Sequence, residues 1–221
     1  MFDMLLDMAT RLVKGSSKAD DRRSAHGAQT RLEILTTAQR VATAEGMEAL
    51  SIGRLANAVG MSKAGLFAHF GSKEALQLAT MEAAYEAYLR EVVEPAQKAP
   101  PGAARLGKQL ENYFAYIQRY APYGGCFLCA ASLEFDDRAG PVRERLRELI
   151  ADRDGRIEAA LREAVDAGHL PTDTDIEQRV FEIVAITGGV NAAFQLNKDP
   201  AVFDRARRAL STLAQANNGK P

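Results

Sequence analysis

The chain of 221 residues has no tryptophan, two cysteines and three histidines. Cys126 and Cys129 are too few to build a disulfide framework, so a reducing cytoplasm is the expected compartment. His26, His69 and His169 stand in unrelated contexts, and no second Cys-x-x-Cys or histidine pair completes a zinc site. Neither a metal nor a cofactor is therefore expected. A Gly-rich phosphate loop, a His-Glu-x-x-His pair and a nucleophile elbow are all missing, which argues against an enzyme. No apolar run approaches the ~20 residues of a membrane-spanning helix, so no membrane partner is expected. The opening MFDMLLDMATRLVK carries Asp3 and Asp7 where a secretory signal needs positive charge.

What is present is a balanced mixture, 47% hydrophobic and 26% charged, with a net charge of −1. That composition suits one or two soluble globular domains. The charge is unevenly spread: ten lysines and arginines against five acids lie between Arg11 and Lys73, leaving the remainder acidic. A basic segment joined to an acidic body hints at a polyanionic partner. Apolar residues recur at helical spacing almost throughout and no alternating strand pattern appears, so the expected fold is all-α.

Residues 1–28 read as an N-terminal arm, with GSSKADDRRSAHG as a flexible linker. A first firm helix is expected over Thr30 to Ala44, ended by Gly46. Ser51 can cap a short helix stopped by Gly60, and Ser62 can cap another from Lys63 to Phe70. A long helix then starts at Lys73 and runs to Pro95, followed by PAQKAPPG as a rigid extended connection. Further helices are expected around Leu106–Ile117, Cys126–Phe135, Pro141–Gly168, Asp175–Asn197 and Pro200–Ala216, with a frayed tail over 217–221.

The two short helices flanking Gly60 form a helix-turn-helix. Neither is long enough to be stable alone, so Leu55, Val59, Leu66 and Phe70 must pack on Ile34, Leu35 and Ala38. That leaves one face and the N-terminal end of the second short helix exposed, with Lys63, Ala64, Gly65, Phe67 and His69 on or near it. Small residues let the backbone approach base edges, and Lys63 offers a donor to a guanine or a phosphate. Ser51, Arg54, Ser62 and Lys73 would flank a groove. The periodicity alone leaves DNA binding and a protein-interaction module both open.

The stretch TRLEILTTAQRVATAEGMEALSIGRLANAVGMSKAGLFAHFGSKEALQLA resembles the DNA-binding domain of TetR-type transcriptional regulators. Gly46, Leu55-Ala56, Gly60-Met61-Ser62, Phe67-Ala68-His69-Phe70 and Ser72-Lys73-Glu74-Ala75-Leu76 carry the likeness, at matching spacing. The resemblance implies that Thr30, Arg31, Ser51, Phe67, His69 and Lys73 approach the DNA backbone while Lys63 and its neighbours read bases. Phe67 stands where the family commonly has tyrosine, and Leu50 where it often has a hydroxyl residue.

The resemblance further implies a three-helix DNA-binding domain at 29–75 and a helical regulatory and dimerisation domain at 76–216. It implies a ligand-responsive repressor that binds a palindromic operator in double-stranded DNA as a homodimer. The dimer contact is expected on the last two helices, about 175–197 and 200–216, through Ile176, Val180, Ile183, Val184, Val190, Phe194, Val202, Ala206, Leu210 and Leu213, unless that face packs within the monomer. A ligand cavity is expected to draw on Tyr85, Tyr88, Tyr113, Phe114, Ile117, Cys126, Phe127 and Phe181, suiting an apolar or aromatic effector. The Cys126-x-x-Cys129 pair leaves an alternative, a helical thiol-redox sensor, although its sequence neighbours Phe127, Leu128 and Ala130 favour buried structural thiols.

Overall fold

The computed structural model of the chain describes residues 18–215. Among them are nine α-helices and no strand: α1 (Lys18–Glu45), α2 (Ile52–Val59), α3 (Lys63–Phe70), α4 (Lys73–Tyr88), α5 (Ala103–Tyr120), α6 (Phe127–Glu134), α7 (Pro141–Asp166), α8 (Ile176–Asn197) and α9 (Ala201–Gln215). None is long and apolar enough to cross a membrane. Residues 1–17 and the tail at 217–221 lie outside the described residues, so the readings of the outer arm and of fraying fall there too.

The expected linker is helical from Lys18 onward, as the inner part of α1. The next three helices begin on serine caps. Ser51 Oγ accepts from the Arg54 amide at 3.2 Å, Ser62 Oγ from Gly65 at 3.0 Å and Ser72 Oγ from Ala75 at 3.0 Å. Gly60 ends α2 in the left-handed region, φ 69°, a conformation glycine adopts without penalty.

The end of α4 departs from expectation. Instead of an extended connection, a π turn (Leu89–Val93) and a 3-10 turn (Glu94–Lys98) carry the helical path onward. Pro95 has no N–H to give, which breaks the regular ladder. Asn112 of α5 donates to the Val92 carbonyl at 3.0 Å and satisfies one acceptor in that turn.

Three apolar clusters organise the chain. Ile34, Ala38, Leu50, Leu55, Ala56, Leu66, Phe70 and Leu76 form the core of a head built from α1–α3 and the start of α4. The body has a larger core from α4–α9, including Met81, Tyr88, Phe114, Phe127, Leu146 and Phe203. A smaller cluster gathers Ile157, Leu161 and Ile183. Head and body interlock: Ala42 of α1 and Met47 after it belong to the body core, although Leu50 three residues on belongs to the head.

A second bracket joins the two parts. The Glu134 carboxylate, at the end of α6, accepts from the backbone amides of Met47 (2.6 Å) and Glu48 (2.8 Å). Gln77 donates to the Met47 carbonyl at 2.9 Å from the other side. Gly124 rests on the backbone of Thr43 in α1, so that a Cβ there would lie 2.5 Å from the Thr43 oxygen.

Two consequences for stability are measurable by urea or thermal melts. Gly124→Ala meets both that backbone contact and a φ of 98°, and is expected to destabilise by more than ~1 kcal/mol, whereas Gly155→Ala, in open space within α7, is expected to stabilise by ~0.5–1 kcal/mol. Glu134→Ala leaves two amide donors without their acceptor and is expected to cost ~1–3 kcal/mol.

Candidate nucleic-acid interface and cavity

The head presents α3 to solvent. Leu66 and Phe70 point into its core, and this register turns Lys63, Ala64, Phe67 and Ala68 outward. Phe67 is 55% exposed, an unusual state for a phenylalanine on a packed helix. The Lys63 stem crosses α2 at Gly53, where a Cβ would come within 3.1 Å of its Cε. Lys63 makes no ion pair with any described residue, so its ammonium is available to a ligand. Ser51 and Ser62 accept from amides through their oxygens, which leaves each hydroxyl proton free to donate outward.

The other cations named from the sequence have partners within the head. Arg31 of α1 donates to the His69 carbonyl at 2.9 Å and lays its guanidinium over the Phe70 ring, 4.5 Å from the centroid. It therefore straps α3 to α1. Arg54 pairs with Glu45. Lys73 donates to the Glu48 carbonyl at 3.0 Å and to its carboxylate at 2.8 Å. The hydrogen bond from Lys73, and then that from Gln77, hold the Glu48 carboxyl below the usual range. Thr30 is half-buried on α1, and His69 is half-buried with its ring tilted against Phe70.

In the body, a cavity of about 450 Å³ lies among α4–α8. Tyr88, Tyr113 and Cys126 of the expected wall do line it. Tyr85, Ile117 and Phe127 are instead packed in the core, and Phe114 lines a neighbouring cavity of about 360 Å³ beside α9. Phe181 is 68% exposed on the outer face of α8, because Ile183 and Val184 take the inward positions of that turn. Most of the wall is aliphatic, with Val92, Leu106, Leu128, Ile150 and Val184 among its members. Its rim is open at Leu133, Gly189 and Ala192.

Polar groups enter this wall at few points. Arg153 of α7 is its one charged residue. It is mostly buried and binds Asp154 through Nε at 2.8 Å. The Tyr113 hydroxyl lies 3.5 Å from Cys129 Sγ. Burial pushes the Tyr88 phenol up to about 12 and that of Tyr113 well above its ordinary value, so both remain protonated donors at neutral pH. Both cysteines are free thiols. The hydrogen bond from Cys129 draws the Cys126 thiol down against the opposing effect of burial, and the same bond pushes Cys129 up. No group of His, Cys, Asp and Glu among the described residues could hold a metal ion.

Sequence reasoning missed Arg153, Ser132 and Glu134. Arg153 had a readable signal: it falls on the apolar stripe Leu146, Leu149, Ile150, Ile157, Leu161 of α7, where a charge is out of place. Glu134 had none, since its partners lie 86 and 87 residues away.

Two family models match this arrangement. One, described as bacterial regulatory proteins of the tetR family, covers residues 34–80, and one described as the tetracyclin repressor-like C-terminal domain covers 102–210. A curated relative, "Probable HTH-type transcriptional regulator ArpR" of Pseudomonas putida, is 25% identical over 183 residues, spanning 80% of this chain and 86% of its own. Among solved structures, a TetR transcriptional regulator from Chloroflexus aurantiacus superposes with a TM-score of 0.76 at 23% identity, covering 89% of this chain and 98% of that one. AibR, solved in complex with isovaleryl coenzyme A and operator DNA, superposes with a TM-score of 0.67 at 20% identity, covering 83% and 97%. The exposed α3 on its packed head, the helical body and the paired matches to both lead to one assignment: the chain belongs to the TetR family of DNA-binding transcriptional regulators.

Proposed function

We propose that the chain is a ligand-responsive repressor that acts as a homodimer on a two-fold symmetric operator. The observation that carries this reading is the bracket between cavity and head. α6 supplies Cys126, Leu128, Cys129, Ser132 and Leu133 to the cavity wall, and its last residue, Glu134, holds the turn between α1 and α2. A ligand that moves α6 thereby biases the orientation of α3, and such coupling typically amounts to ~1–3 kcal/mol. AibR, whose fold is similar, was solved with a small molecule and operator DNA together, which supports the same division of labour here.

In this reading α3 enters the major groove, with Lys63 and the small residues Ala64 and Gly65 toward base edges. Ser51, Ser62, Thr30 and the Phe67 and His69 edge face the phosphates. Arg31, Arg54 and Lys73 act mainly by holding the head in shape, because each is already engaged within it. The cavity volume and its aliphatic wall suit a small apolar or aromatic effector.

The residues expected from the sequence to make the dimer contact lie mostly inside the monomer, so the reading takes another face. Ile183, Val190 and Ala206 are buried within the monomer, and Ile176, Val180, Val184, Phe194, Val202 and Leu210 pack against its cores. Leu213 lies outside the residues whose side chains are described. The face left outward on α8 is Phe181, Ala185, Gly189, Ala192 and Leu196, spaced three or four apart, with Leu196 83% exposed. Such a stripe, with small residues at its centre, suits close packing on the same helix of a second copy.

Sequences selected from a random duplex pool are expected to contain two half-sites about one helical turn apart, ~34–36 Å. Lys63→Ala is expected to relax preference at one position of each half-site at a cost of ~1–3 kcal/mol, read by repeating the selection; an unchanged preference removes Lys63 from base reading. The double variant Phe181→Glu, Leu196→Glu is expected to sediment as a monomer where the parent sediments as a dimer, and to bind the selected duplex more weakly. A parent that is monomeric at micromolar concentration contradicts the proposal.

A further inference from the structure

We propose that the effector of this cavity is a soft organic electrophile, an α,β-unsaturated carbonyl compound, held by covalent addition of the Cys126 sulfur to its β-carbon. The proposal rests on the reading of the cavity as the effector site and adds the chemical class that the site takes.

The groups that such an addition needs are assembled in one wall. Cys126 is the N-cap residue of α6 and has extended backbone geometry, so its sulfur sits at the positive end of that helix. Cys129, one turn on, lines the same wall, and its thiol and amide draw the Cys126 thiol down. Asn191 of α8 fixes the start of this helix by accepting from the Cys126 amide at 2.9 Å. Tyr113 of α5 stands at 3.5 Å from Cys129 Sγ, and Arg153 of α7 brings the only charge in the wall. Tyr88 of α4 and Tyr116 of α5 complete the titratable surroundings, and burial keeps both protonated. The Cys126 sulfur thus faces hydrogen-bond donors and a cation, with no carboxylate in the wall opposing it. This is an activated nucleophile in an otherwise aliphatic chamber, where a carbon skeleton is welcome and bulk water is scarce.

The step balances without any oxidant. The Cys126 thiolate forms a carbon–sulfur bond at the β-carbon, and the π pair of the C=C bond moves onto the carbonyl oxygen. Arg153 and the Tyr113 hydroxyl are the donors available to that oxyanion. Cys129, which stays protonated, delivers its proton to the α-carbon and regains one from water. The net result is addition of a thiol across a double bond, with sulfur unchanged in oxidation state. A thiol-disulfide switch is a different reaction and is not required. An adduct at the N-cap residue of α6 then occupies the space between α5, α7 and α8, and the far end of the same short helix is Glu134, the bracket to the head.

The test uses the full chain with N-ethylmaleimide and 2-cyclohexen-1-one as probes at pH 7. Intact-mass and peptide-mapping spectrometry follow the adduct, and fluorescence anisotropy follows binding to the duplex recovered by selection. The expected result is one adduct per chain, on Cys126, formed at least ~10-fold faster than on free cysteine, with duplex affinity falling ~10-fold. Cys126→Ser is expected to abolish the rapid adduct and the response to both probes. Cys129→Ser is expected to slow the addition while leaving its site unchanged. Should Cys126→Ser misfold by circular dichroism, Cys126→Ala serves for the same comparison. An adduct on Cys129 instead, a rate no faster than free cysteine, or an adduct on Cys126 that leaves duplex affinity unaltered overturns the proposal. The two readings fail separately: the mass measurement reports on the thiol alone, whereas an unmodified chain with no duplex preference defeats the regulator reading.

Discussion

Two helices of eight residues each, α2 and α3, make up the helix-turn-helix, and neither can hold its shape in water. Everything in the head follows from supplying them with support. Leu55, Ala56, Leu66 and Phe70 are given to α1 and α4, three serine caps fix where helices start, and Arg31 ties the His69 carbonyl and the Phe70 ring back to α1. Residues not needed for that support are the ones left outward: Lys63, Ala64, Phe67 and Ala68. The exposed face of α3 is what remains after packing has taken its share. This explains why an exposed phenylalanine persists beside small residues on a packed helix.

The same economy operates at the junction of head and body. α6 has only eight residues, yet one side lines the cavity and its end holds two amides of the α1–α2 turn. Because Glu134 contacts backbone rather than a side chain, the link depends on position and is insensitive to which residues follow Gly46. Gln77 and Lys73 reach the same turn from α4, so the turn is held from two helices of the body side at once. α4 and α6 therefore seat the head jointly, through contacts that run from the cavity wall to the α1–α2 turn.

Several features were readable in the residues, and others were readable only in part. The serine caps, Gly60 and the apolar spacing of α1–α4 sufficed to place the helix-turn-helix to within a residue or two. Arg153 announces itself as a charge on an apolar stripe. The cavity wall was only partly found because an aromatic at helical spacing has the same signature whether it packs on a neighbour or borders a void; Tyr85, Ile117 and Phe127 went to the core, while Tyr88, Tyr113 and Cys126 border space. The residues named for a dimer contact went mostly into the monomer for a related reason. α8 is apolar on more than one side, so periodicity alone cannot say which stripe the monomer uses, and the branched residues Ile183 and Val190 went inward, leaving Phe181 and Leu196 outside.

By itself the sequence determined the local grammar of this protein: where the two short helices start and stop, that this pair must lean on a longer one, and the family pattern of residues 30–80. Those properties are set by neighbours a few residues apart, through caps, left-handed glycines and the helical period. Tertiary structure alone decided the Glu134 bracket, the pairing of Arg54 and Lys73 with acids of the α1 end, the meeting of Cys126, Cys129, Tyr113 and Arg153 in one wall, and the stripe of α8 that faces outward. Each joins groups that lie far apart along the chain or chooses between equivalent faces, and only the simultaneous packing of the helices makes that choice.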